Sequence, residues 1–169
     1  MQVRTEEPAD IPYVHGLNCS AFESPTEARI VDALRGQPDV ISLVAEEDGQ
    51  VVGHIMFSPV RLRGAGEVRA LALAPMAVAP ERQRAGIGSA LVRDGLARCQ
   101  EQGVEALFVV GPPEYYPRFG FSLASGFGIT CEFDVPDEVF MALELAPGAL
   151  QGRTGQVFFN EAFRAPHLS

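Results

Sequence analysis

The chain has 169 residues, of which 47% are hydrophobic, and a formal net charge of −9. That length suits one domain burying roughly 70% of its unfolded surface, and the negative charge argues against nucleic acid or an anionic membrane while suiting a cationic acceptor. All 13 basic residues are arginine, so lysine-dependent phosphate clamps and Schiff-base chemistry are excluded.

The opening stretch, MQVRTEEPAD, has no apolar signal region, and no 18-residue apolar run follows, which predicts a cytoplasmic protein. Val3 to Thr5 reads as a short strand, and a helix is predicted over roughly Ile11 to Ala21. A second helix starts at Ser24-Pro25-Thr26-Glu27, with Ser24 as N-cap, Pro25 in the first position and Glu27 closing a capping box. Ile30, Val31 and Leu34 form its apolar stripe, and Gly36 stops it. Val40 to Glu47 and Val51 to Val60 read as strands joined by Asp48-Gly49, a tight-hairpin signal, and Gly64-Ala65-Gly66 makes the next turn.

Ala70 to Val78 is small and apolar throughout, the pattern of a strand buried on both faces. Pro75 lacks an N–H for a ladder, so pairing with one neighbour must part there and leave backbone groups of Met76, Ala77 and Val78 facing a gap. Next come Gln83, Arg84, Ala85, Gly86, Ile87, Gly88 and Ser89, a loop with two glycines opening a helix. The helix leaves its first N–H groups unpaired and carries a positive dipole end, so the loop suits a diphosphate, with Arg82 and Arg84 adding charge. Leu91, Val92, Gly95, Leu96 and Cys99 continue the apolar face. Gly95 costs roughly 1 kcal/mol relative to alanine in a helix interior, which predicts close contact of helix and sheet.

Gly103 ends this helix, and Val104 to Val110 reads as a fully buried strand parallel to the earlier one, the two splaying at Pro75. Gly111-Pro112-Pro113-Glu114 breaks the chain before Tyr115-Tyr116-Pro117-Arg118-Phe119-Gly120-Phe121. Further strands are predicted at Ile129 to Phe133, Val139 to Leu145 and Gln156 to Phe159. Cys19, Cys99 and Cys131, like His15, His54 and His167, are too scattered to ligate a metal, and none is expected. A dinucleotide fingerprint would need glycine or alanine where Leu91 stands.

Gln83, Gly86 and Gly88 match in register the cofactor motif of the GCN5-related N-acetyltransferases (GNAT), which this stretch resembles. The proline-containing strand before it and the Tyr116 to Phe121 segment after it extend the resemblance, specific from about Leu73 to Phe121, and the longer C-terminal half resembles a branch of small bacterial predicted acetyltransferases. The resemblance implies an α/β (α+β) fold of GNAT type, with a mixed, mostly antiparallel central sheet flanked by helices and splayed parallel strands at the cofactor site. It implies one domain over residues 1–169, with a cofactor core at about 70–121 and a strand extension at about 127–163.

The implied activity is acetyl transfer from acetyl-CoA to a primary amine of a small molecule or peptide through a ternary complex. Met76, Ala77, Val78 and the residues Gln83 to Ser89 would bind the cofactor, amides near Ala77 and Val78 would serve the oxyanion, and Tyr116 would act at the sulfur. Relatives often carry Asn or Asp where this chain has Gly111-Pro112-Pro113. A non-catalytic acyl-CoA-binding module and a transferase of another acyl group, with Arg61, Arg63 or Arg118 as a cationic wall, are the alternatives. Glu46, His54, Glu67 and Glu144 stay open as the base, and a homodimer is compatible with the reading.

Overall fold

The computed structural model describes residues 1–64 and 66–164, so Ala65 of the predicted Gly-Ala-Gly turn and His167 lie outside it. In chain order the elements are β1 (Gln2–Thr5), α1 (Ile11–Phe22), α2 (Thr26–Leu34), β2 (Ile41–Glu47), β3 (Gln50–Arg63) and β4 (Ala70–Val78). They continue with α3 (Ile87–Glu101), β5 (Ala106–Val110), β6 (Ser122–Leu123), β7 (Ile129–Cys131), β8 (Phe140–Glu144) and β9 (Gly155–Phe158), with short 3₁₀ turns between. No helix among the described residues is long and apolar enough to cross a membrane.

The contacts divide the chain into two compact units, one of Met1–Ser58, Ala74–Ala97 and the segment from Glu161, the other of Pro59–Leu73 and Arg98–Asn160. Strands β3 and β4 contribute residues to both. In the first unit β1, β2 and β3 pair antiparallel, with registers Val3↔Ala45 and Leu43↔Ile55. The hairpin joining β2 and β3 has φ +52° at Asp48 and +77° at Gly49, the two left-handed residues that a twisted two-residue turn demands. Arg4 donates to Asp10 and Glu46 at 2.7 to 3.0 Å, tying β1 to β2 and to the entrance of α1, and it holds the Asp10 carboxyl below the usual carboxylate range. Val14, Ile30, Val31, Leu34, Val44 and Met56 form a core in which α1 and α2 pack on the strands.

Capping departs from the expectation. Ser24 Oγ accepts from the Thr26 N–H at 3.2 Å, yet Pro25 occupies the N-cap position and Glu27 makes no reciprocal bond. A capping box does exist earlier, between Glu7 and Asp10, where it opens the turn that leads into α1.

Helix α3 lies against β3 through two glycines. A Cβ at Gly53 would stand 2.8 Å from Ile87 Cγ2 and 2.9 Å from Leu91 Cδ1, and one at Gly95 would stand 2.5 Å from Phe57 Cε2. Each glycine is thus the hollow for a side chain opposite, as predicted for Gly95.

In the second unit β4 pairs parallel with β5 over Ala70↔Ala106 to Ala72↔Phe108. β5 pairs antiparallel with β8, β8 with β6, and the end of β3 with β9, which carries β7 in parallel. Phe108 stacks on Phe140 with centroids 5.8 Å apart. β5 begins two residues later than predicted and ends on a Val110 that is 41% exposed, so it is buried only through Val109. The two-residue β6 carries no period for a sequence pattern to reveal.

Candidate functional site

Strand β4 changes character along its length. Ala70 to Leu73 are buried on both faces, as predicted, but from Ala74 onward burial alternates, with Pro75 and Ala77 buried and Ala74, Met76 and Val78 half-buried. Registered pairs with β5 stop at Ala72, three residues before Pro75, whose peptide bond with Ala74 is cis. Ala77 and Ala79 pack on Leu17 of α1. The Ala79 N–H donates to Val52 O at 2.9 Å, so its peptide points to β3. Successive peptide groups of a strand point to opposite edges. The Ala77 amide therefore also points to β3, and Met76 and Val78 turn their backbone groups to the other edge.

After β4 the chain makes a 3₁₀ turn at Pro80–Arg82, closed by the Arg82 N–H on Ala79 O at 2.8 Å. The Arg82 guanidinium is ion-paired with Glu47 at the end of β2. Its charge is therefore spent on the protein rather than offered to an anion, which leaves Arg84 as the basic side chain of the expected pair that is exposed at the loop. Glu47 is a residue that sequence reasoning missed, because an acidic residue before a hairpin looks like any solvated strand end. The Gln83 side chain donates to Val78 O at 3.3 Å and so braces the loop on the strand.

Residues 83–86 are exposed, and left-handed φ values at Arg84 (+67°) and Gly86 (+84°) turn the backbone outward. Gly86 O accepts the Ala90 N–H at 3.0 Å and so starts α3. Among the described residues, the N–H groups of Ala85, Gly86, Ile87 and Gly88 donate to no protein acceptor. Four unpartnered donors at the positive end of a 15-residue helix form an anion cradle. A Cβ at Gly86 would meet nothing within 4 Å, so the space in front of the loop is open.

Tyr116, in the second unit, begins a 3₁₀ turn that Gly120 ends at φ +101°. Its ring is 6% exposed and meets Tyr115 and Phe121 edge-on at centroid distances of 5.1 and 5.7 Å. Gly111 is required beneath it, since a Cβ there would lie 3.1 Å from Tyr116 Cδ2 and nearer still to Cε2. Among the described residues the hydroxyl has no hydrogen-bond partner, yet it is not sealed from solvent. Burial, with Tyr115 adding, pushes its pKa up to about 12, so the phenol stays protonated at any ordinary pH. Arg118 lies over the Tyr115 ring at 4.6 Å and donates to Tyr115 O at 3.0 Å, which holds it at that ring.

Three of the four open base candidates are engaged in structural contacts. Glu46 receives Arg4, and Glu144 accepts the Leu150 N–H at 2.8 Å. His54 is fully buried between Asn18 and Ser42, and burial together with the Arg35 charge pushes its pKa down to about 3. Glu67 lines a cavity of the second unit. Among the described residues no group of His, Cys, Asp or Glu is arranged to hold a metal, and Cys99 is a buried thiol raised to about 12 by desolvation.

Residues 2–124 match the family model of the acetyltransferase (GNAT) domain. An N-acetyltransferase named YhbS of Escherichia coli strain K12 is 37% identical over 165 residues, covering 96% of this chain and 98% of that protein. A crystal structure of E. coli YhbS in complex with CoA superposes with a TM-score of 0.91 at 36% identity, over 96% of this chain and 91% of the other. A GNAT family acetyltransferase of Brucella melitensis in complex with acetyl-CoA gives a TM-score of 0.79 at 37% identity, over 96% and 97% of the two chains.

Proposed function

Since the chain belongs to the GNAT family of acetyltransferases, we propose that the unpartnered N–H groups at the start of α3 hold the diphosphate of acetyl-CoA. The protein is an N-acetyltransferase that uses acetyl-CoA, and the observation that carries the site is this set of four free donors directly after an alternating strand end. Gln83, Arg84, Ala85, Gly86, Ile87, Gly88 and Ser89 form the binding loop, with Gln83 acting through its brace on Val78. The residues present fit the group, for the cradle is open, exposed and free of acidic side chains from Gln83 to Ser89.

When bound, acetyl-CoA supplies an acetyl group activated as a thioester. The backbone of Met76 and Val78, turned away from β3, pairs with the extended pantetheine amides as a further strand would. Ala77 seats this edge on Leu17, and the N–H of Val78 serves the developing charge on the carbonyl oxygen.

Tyr116 Oη holds its proton. An ordinary thiol titrates near 8.5, so full transfer from a phenol at about 12 would be uphill by roughly 5 kcal/mol. Tyr116 therefore acts as a hydrogen-bond donor toward the departing sulfur, and the net proton comes from the amine.

The acceptor is a primary amine of a small molecule or peptide, and the net charge of −9 favours one with cationic character. The chain works as one N-acetyltransferase domain, its cofactor core at about 70–121 and its strand extension at about 127–163, in the cytoplasm and without nucleic acid or membrane, as a monomer or homodimer. The test is acetyl-CoA-dependent thiol release against pooled amines, amino acids and peptide N-termini, with Tyr116→Phe and succinyl-CoA run in parallel. Acceptor-dependent release that falls sharply in the variant supports the assignment. Release unchanged in Tyr116→Phe refutes the role given to Tyr116, and preference for succinyl-CoA refutes acetyl as the group carried.

A further inference from the structure

The geometry points to a second ligand site in this protein, a cavity of about 700 Å³ in the second unit that takes a small organic anion carrying a flat apolar body. Its lining includes Arg61, Arg63, Glu67, Arg69, Glu105 and Phe158, none of which is among the residues assigned to acetyl-CoA. The ribbon of β3 and β9 builds one wall. The register Arg61↔Phe158 and Leu62↔Val157 puts Arg61, Arg63 and Phe158 on one face, while Leu62 and Val157 turn into the core. Gly155 permits this pairing, since a Cβ there would collide with the Arg63 carbonyl.

The arginines on this wall are differently held. Arg63 lies over the Phe158 ring at 4.7 Å, so its planar fork is oriented before any ligand arrives. Arg61 is exposed and makes no hydrogen bond or ion pair among the described residues.

In the same lining, Arg69 and Glu105 are locked together through the main chain. The Arg69 N–H donates to the Glu105 carboxylate at 2.9 Å, and the Glu105 N–H donates to Arg69 O at 2.8 Å. The lining thus carries Arg61, Arg63 and Arg69 with Glu67 and Glu105, a local excess of one positive charge (3 − 2) in a chain whose net charge is −9. Guanidinium forks match the planar oxygens of carboxylates and phosphates, which gives the anion preference, and half-buried Phe158, with Arg63 laid over its ring, adds apolar surface to the lining. The volume lies within the range of small-molecule pockets, ~300–1,000 Å³.

The test uses the fluorescent probe 1-anilinonaphthalene-8-sulfonate, a flat apolar body with a fixed anion, titrated into the full chain saturated with CoA. Saturable 1:1 binding that persists with CoA present, weakens at least tenfold in Arg61→Glu and yields to benzoate or phenyl phosphate is expected. The better of those two competitors identifies carboxylate or phosphate as the natural head group. Thermal melting and CoA affinity of Arg61→Glu should match the parent, since the side chain is exposed and unpaired. Loss of probe on adding CoA, equal affinity in Arg61→Glu, or displacement by benzyl alcohol as readily as by the anions would overturn the site. Failure of the acetyl-CoA assignment would show separately, as absent CoA binding with the probe still held.

Discussion

Gly95→Ala tests the seat of α3 on the sheet, and with it the height at which the anion cradle is held. Alanine is favoured over glycine in a helix by roughly 1 kcal/mol, so propensity alone predicts a more stable protein. The structure reverses the sign. The new Cβ would stand 2.5 Å from Phe57 Cε2, about 1 Å inside ordinary carbon contact, and Phe57 is fully buried with no room to retreat. Overpacking costs about 1–3 kcal/mol, and an overlap this deep belongs in the upper part of that range, so about 2–3 kcal/mol against a gain of about 1 leaves a net loss of about 1–2 kcal/mol. For a chain of this size that lowers the melting temperature by roughly 2–8 °C. Gly16→Ala in α1 is the control, since its Cβ meets nothing within 4 Å. It should gain about 0.5–1 kcal/mol. Thermal melts of both, with and without CoA, decide the matter, and Gly95→Ala should also bind CoA more weakly because α3 is lifted. A Gly95→Ala protein as stable as Gly16→Ala would refute the close seat.

Gly86→Glu should cost at least tenfold in CoA affinity by calorimetry, because it places a negative side chain before the cradle at a position of φ +84°. Glu47→Ala removes a carboxylate and releases the Arg82 charge beside the loop, so a several-fold fall in the KM for acetyl-CoA at nearly constant kcat is expected from steady-state rates. Tyr116→Phe should lower kcat about 10- to 100-fold yet leave the unfolding free energy from urea melts within about 0.5 kcal/mol of the parent, since the hydroxyl has no partner among the described residues. His54 is held neutral in the fold, its pKa lowered from 6.5 to about 3, so the unfolded chain takes up a proton first as pH falls. The His54 contribution to stability is complete above about 6.5 and declines toward pH 3, and His54→Gln should flatten that part of the decline in urea midpoints measured from pH 7 to 4. Parallel curves for parent and variant would refute it.

The loop proposed to hold the cofactor was readable in the sequence because its signals are local. Gly86 at positive φ, the free N–H groups after it and the apolar face of α3 follow from residues within a few positions of one another. Gly95 was legible for the same reason, since a glycine in a helix interior needs a neighbour to justify it. What escaped the sequence were pairings across long separations. Arg82 reads as cofactor charge until Glu47, 35 residues earlier, is seen to hold it. The half-open end of β4 is likewise invisible in ALALAPMAV, where every residue is small or apolar and only the neighbouring strands decide which face is covered. The alternation that turns Met76 and Val78 outward needs the Ala79 to Val52 bond as its phase marker.

The segment that carries Tyr116 holds Pro112, Pro113 and Pro117 within six positions, and the tyrosine ring fills the space that Gly111 leaves. Each proline removes backbone states from the unfolded chain, so much of the conformational entropy of this loop is absent before folding begins. In the role proposed for Tyr116, a ligand that meets it has little disorder left to quench, and its affinity reflects contact more than ordering. Position 111 is bound by the same economy, for any side chain there would expel the ring, and the two residues can change only as a pair.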